Sequence, residues 1–219
     1  MHTSRFKPFA ALLGALLILM TALPASAVPL TQIGIRYFER GHMAYLRHDM
    51  QDAARYFARS ADSFLKYKEE NGDIFDSYAL QAGIGLYYSG DYDRCIQVLE
   101  PLADNDDLWE APLYAALSYA HKDDASKARE LLAKFPEIAK QHILSIAVND
   151  ALDKLRSGEL TPAGLIDQLT PEIRRQLVFN IYADTQDSAT APERCDGRFW
   201  WRYASQRCHN NRPYDKLDY

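Results

Sequence analysis

The chain has 219 residues, of which 12% are aromatic, and a formal net charge of -5. That length suits one domain of ordinary size, or one domain with a small appendage. An acidic balance with no polybasic run argues against nucleic acid or an anionic membrane surface as a partner.

Residues 1–27 read as a separate object. His2, Arg5 and Lys7 precede an apolar stretch, 9–23, that holds no acidic residue, and Pro24-Ala25-Ser26-Ala27 follows with small residues spaced as A-x-A. This is the pattern of a secretory signal peptide cleaved after Ala27, which predicts a periplasmic or secreted protein. The 15-residue apolar core falls short of the roughly 20 residues needed to span a bilayer. Loss of Arg5 and Lys7 takes the mature chain, 28–219, to a net charge of -7. An oxidising compartment makes Cys195 and Cys208 natural disulfide partners in a turn-rich tail. Closing so short a loop is worth about 3 kcal/mol on the chain-entropy model. Cys95 is left as a buried, inert thiol.

From 28 to 136 the pattern predicts three helix pairs: 33–47 with 50–67, 74–88 with 92–102, and 108–121 with a helix ending near 135. Asp49, Asp91 and Asp124 each stand where the second helix of a pair needs an N-cap. Aligned on these caps, Gly41, Gly83 and Ala116 share one position. Ala53, Cys95 and Ala128 share another, and Phe57, Leu99 and Leu132 a third, one turn along the same face. Small residues let two backbones approach; large ones fill the space beside them. A lone pair cannot bury its apolar faces, so the copies must stack. The segment 83–102 carries the best copy: Gly83, Gly90, Asp91, Tyr92, Cys95 and Leu99.

These residues resemble the tetratricopeptide repeat, whose motif runs small, aromatic, Gly-Asp-Tyr, Ala, then aromatic or Leu on two antiparallel helices. The first copy matches through Gly41, Asp49, Ala53 and Phe57. The third matches through Tyr119, Ala128 and Leu132 but lacks both glycines. Ala53 to Cys95 is 42 residues and Cys95 to Ala128 is 33, so an insertion falls in the first interval, around 69–73.

The resemblance implies an all-α, TPR-like helical-hairpin solenoid that binds extended partner segments on a concave face built from the first helices. Carried over by residue, that face holds Phe38, His42 and Tyr45, then Leu80, Ile84, Tyr87 and Tyr88, then Leu113, Leu117 and His121. It lacks the Lys/Asn set of members that clamp a terminal carboxylate. So apolar a face must be covered in water. Two occupants stay open: the chain's own C-terminal helices, or a protein partner in the cell envelope.

Residues 137–157 predict a capping amphipathic helix on Leu144, Val148, Leu152 and Leu155, stopped by Gly158. Thr161-Pro162 and Thr170-Pro171 predict two further helix starts: a short helix over 162–169 and a longer one over 171–183 with Ile173, Leu177, Phe179 and Ile181 towards the core. A polar linker, 184–194, leads to an aromatic and basic tail, 195–219, in which Phe199, Trp200, Trp201 and Tyr203 lie inside the Cys195–Cys208 loop. The tail carries +2, whereas 91–110 carries -6. It either folds back on the repeats or forms an exposed binding surface of hot-spot composition.

No motif names a reaction, a metal or a cofactor. His42 and His48 are six apart and have no accompanying H-E-x-x-H or Cys pair. His121, His142 and His209 are isolated, there is no G-x-S-x-G or phosphate loop, and Asp104-Asn105-Asp106-Asp107 lacks the Gly and Glu of a calcium loop. The expectation is a non-catalytic exported scaffold that binds another envelope protein. The alternative is a helical envelope enzyme or glycan-binding protein using Trp200 and Trp201.

Overall fold

The computed structural model describes residues 28–135 and 142–186. Residues 1–27, expected to be a signal peptide, and Trp200, Trp201, Cys195 and Cys208, with the disulfide expected between the last two, lie outside the described residues. Those residues form eight α-helices and no strand: α1 Leu30–Leu46, α2 Met50–Asn71, α3 Asp76–Ser89, α4 Tyr92–Leu99, α5 Glu110–His121, α6 Ala125–Leu132, α7 His142–Ser157 and α8 Pro162–Gln186. The described residues are all-α. Among the described residues no helix is long and apolar enough to cross a membrane.

Three short turns set the hairpins. The Asp49 side chain accepts from the Asp52 amide at 3.1 Å, Asp91 from Arg94 at 3.3 Å and Asp124 from Lys127 at 2.9 Å. Each thereby satisfies one of the orphan amides at the start of the second helix. The residue before each cap is left-handed: His48 at φ 61°, Gly90 at 84° and Asp123 at 60°. Glycine enters that region freely, so the first and third turns hold it without their glycine. A chain reversed so tightly lays α2 antiparallel against α1, α4 against α3 and α6 against α5, and each helix also packs on the next.

The aligned small and large residues meet at the crossings. A Cβ placed on Gly41 would sit 2.8 Å from the Phe57 ring, and one on Gly83 would fall within the Leu99 side chain. Gly85 brings α3 against the α2 backbone, where a Cβ would come within 2.7 Å of the Phe57 carbonyl. Ala53, Cys95, Ala128, Phe57, Leu99 and Leu132 are all buried. The 42-residue interval is absorbed by the 22-residue length of α2, which runs to Asn71 and stops at Gly72 with φ 79°. The second helix of the middle pair ends at Leu99, and a 3-10 turn, Glu100–Leu102, carries the chain on. Pro101 has no amide to continue the ladder.

The C-terminal part departs from its prediction. A single helix, α8, runs through Thr170-Pro171 in place of two helices, and it continues three residues past 183. Pro171 forfeits one helical hydrogen bond, that to the Asp167 carbonyl. Leu165 and Leu169 before it, and Ile173 and Leu177 after it, form one buried stripe. Burying each such side chain stabilises by about 1.5–3 kcal/mol, enough to hold both halves in line. Thr161 does cap, accepting from the Gly164 amide at 3.1 Å. Phe179, expected towards the core, is 37% exposed. Helix α7 buries Leu144, Val148, Leu152 and Leu155 and packs on α6 and α8, while α8 packs on α5 as well.

Candidate functional site

The predicted concave residues other than His121 converge and are wholly or partly covered. Phe38, His42 and Tyr45 from α1, Tyr87 from α3 and Leu117 from α5 are buried, and Tyr88 is partly buried. The rings interlock: His42 lies 4.6 Å from Phe38 and 5.0 Å from Phe57, Tyr88 stacks on Phe57 at 4.6 Å, and Tyr87 meets Tyr114 edge-on at 5.1 Å. The Tyr88 and Tyr114 hydroxyls are 3.0 Å apart, so two buried polar tips satisfy one another. His121 is exposed and stacks on Tyr92 at 4.0 Å.

Helix α8 is the cover. Tyr45 Oη donates to the Thr170 carbonyl at 3.3 Å. The Arg174 guanidinium sits over the Tyr45 ring at 4.4 Å and donates to His48 Nδ1 at 3.0 Å. A small internal cavity is shared by His42, Tyr114, Leu144, Ile173 and Gln176, which places α1, α5, α7 and α8 around one point. Gln176 Oε1 accepts from the Leu144 amide at 3.2 Å, locking α8 to the start of α7.

Burial sets the protonation of this centre. It pushes the His42 imidazole down to about 3, with the Phe38 carbonyl opposing in part. It raises Tyr45, Tyr87, Tyr88 and Tyr114, and it lifts the Cys95 thiol to about 12 against a hydrogen bond from Ser118 at 3.1 Å. These groups stay neutral near pH 7, and their geometry packs the centre. Among the described residues no three His, Cys, Asp or Glu side chains converge as a metal-holding group.

The acidic stretch 91–110 is largely engaged by the third hairpin and its own arginine. Asp91 pairs with Arg94, Asp93 with Lys122, Glu100 with Lys127 at 3.6 Å and Asp104 with Lys134 at 2.8 Å, while Tyr119 donates to Glu100 at 2.9 Å. Glu110 is buried. Lys122, Lys127 and Lys134 offset half of the -6, while Asp93 and Asp104 stay largely exposed beside their lysines.

Two surfaces outside the predicted site stand out. Between α7 and α8 an open groove of about 680 Å³ is floored by Ile143, Ile146 and Ala147 and rimmed by Asp150, Lys154, Glu172 and Arg175. Ile146 is 69% exposed. On the outer side of the first hairpin, Tyr37 of α1 and Tyr56 of α2 stack with ring centres 6.1 Å apart. Arg40 and Arg59 lie over Tyr37 at 5.7 and 5.4 Å, and Arg55 lies over Tyr56 at 5.1 Å. Arg59 donates to the Tyr37 hydroxyl at 3.1 Å, and Arg55 pairs with Asp52 at 2.8 Å. Sequence spacing gives part of this set, since Arg55, Tyr56 and Arg59 share a helix. Their meeting with Tyr37 and Arg40 depends on the register of α1 against α2. No family model, curated protein or solved structure matches the chain.

Proposed function

We propose that the protein is an exported, TPR-like scaffold that binds another protein of the cell envelope and performs no chemistry of its own. The observation that carries this reading is the recurrence of one hairpin design three times. Each copy has an Asp cap, a left-handed residue before it, a small residue at the crossing and a large one sixteen residues on. Stacked hairpins of this kind present broad, rigid faces, which suit binding to another chain. The hydrophobic centre is closed by α8, so on this reading the partner meets an outer face and the concave face serves stability. Residues 1–27 act as the export signal.

Affinity isolation of the exported chain from envelope extracts tests the reading, and a second protein in fixed stoichiometry is the expected result. Retention on envelope glycan that disappears in Trp200→Ala/Trp201→Ala, with no protein recovered, would replace it by the glycan-binding alternative.

A further inference from the structure

We infer that the stacked arginine–tyrosine face of the first hairpin, formed by Tyr37, Arg40, Arg55, Tyr56 and Arg59, is the docking surface for an acidic peptide segment of the partner; this rests on the scaffold reading above. The face is built from both helices of one hairpin, so the backbone presents its side chains together. Cation–π pairs occur about once per 70–80 residues in proteins generally, and here three fall on two tyrosines of one hairpin. Stacking orders the guanidinium groups before any ligand arrives, which reduces the entropy lost on binding. Arg55 already pairs with Asp52 and Arg59 donates one N–H to Tyr37, and the N–H groups of Arg40 and the remaining ones of Arg59 are placed to bond carboxylates. Tyrosine and arginine are also the residue types that concentrate binding energy at protein interfaces.

The chemistry selects a peptide over a polyanion. The positive charge is local to the face: Arg40, Arg55 and Arg59 stand against one acid there, whereas the whole hairpin, 30–71, carries only +1 and the chain -5. Asp52 lies within the face, paired to Arg55. An extended polyanion such as nucleic acid or an anionic lipid surface needs many phosphate contacts and would meet the acidic remainder of the molecule. A short segment with one or two Asp or Glu residues flanked by apolar side chains matches both the arginines and the tyrosine rings.

Photo-crosslinking in cells tests this on the full exported chain. A photoreactive phenylalanine replaces Tyr37 in one variant and Tyr56 in another, and a third carries it at Ile146 as a remote exposed site. The expected result is one discrete protein adduct from positions 37 and 56, with the crosslinked peptide bearing Asp or Glu. Its yield falls about tenfold in Arg40→Glu/Arg59→Glu, whose far-ultraviolet circular dichroism and melting temperature report that it is folded. An adduct insensitive to that charge reversal, an adduct to lipid or glycan, or a crosslinked peptide without acids overturns the docking site. So does a protein adduct from position 146 alone, which leaves the scaffold reading standing. Absence of any adduct, together with failure to isolate a partner, overturns both.

Discussion

Arg174 on α8 holds its guanidinium 4.4 Å above the ring of Tyr45 on α1 while its Nη1 reaches His48 in the first turn. This contact ties the last described helix to the first across 129 residues of sequence. It forms because α8 lies along the face that the first helices of the hairpins line. Arg174→Ala removes the cation–π pair and the His48 hydrogen bond together. A loss of about 1 kcal/mol is expected, read as a melting temperature lower by roughly 2–4 °C. An unchanged melting temperature would mean that the contact contributes nothing in solution.

The crossing glycines give a sharper test. Gly83→Ala places a methyl where Leu99 already sits, and overpacking of that kind costs about 1–3 kcal/mol. Leu99→Val in the same chain gives back space, so the double variant should be more stable than the sum of its parts. Urea unfolding of all four chains measures the coupling, and simple additivity would contradict the packing.

The left-handed turns respond in opposite directions. Gly90→Ala forces a Cβ into φ 84° and should cost about 1–2 kcal/mol. Asp123→Gly relieves the same strain at the third turn, and the gain, up to about 1 kcal/mol, is reduced by the greater freedom of glycine in the unfolded chain. Equal responses at the two sites would show that the turns do not share a geometry.

How much of this was legible in the sequence depended on range. The Asp caps, the small and large crossing positions and the three hairpins follow from local chemistry, and each recurs, so one copy supports the next. The course of α8 does not. Thr170-Pro171 is a good local start signal, and only the stripe from Leu165 to Leu177, buried against α5 and α7, keeps the helix unbroken. Likewise Phe38, His42 and Tyr45 could be assigned to one face, but what covers them is set by contacts more than a hundred residues away. The arginine–tyrosine face was legible only in its α2 half, Arg55, Tyr56 and Arg59, because their meeting with Tyr37 and Arg40 needs the register between α1 and α2.

Stability should fall with acid through His42. Its folded value is about 3, held down by burial, against an ordinary value of 6.5. The unfolded chain therefore takes up a proton that the folded chain refuses. The contribution is fully present above about pH 6.5 and is lost progressively as pH falls towards 3, a change of a few kcal/mol. His42→Phe, which keeps an aromatic ring among Phe38, Phe57 and Tyr88, should flatten this limb. Urea midpoints between pH 7 and 4 that decline equally in both chains would assign the acid sensitivity elsewhere.

Native-state hydrogen exchange bears most directly on the claim that α8 is an integral cover of the face lined by the first helices of the hairpins. If α8 is an integral wall of the core, amides over 165–177 exchange with the same opening free energy as those of α3 and α5, and Arg174→Ala lowers all three together. Exchange of α8 that is orders of magnitude faster, with α3 and α5 still protected, would contradict the account, because the helix would then be a detachable occupant of the face.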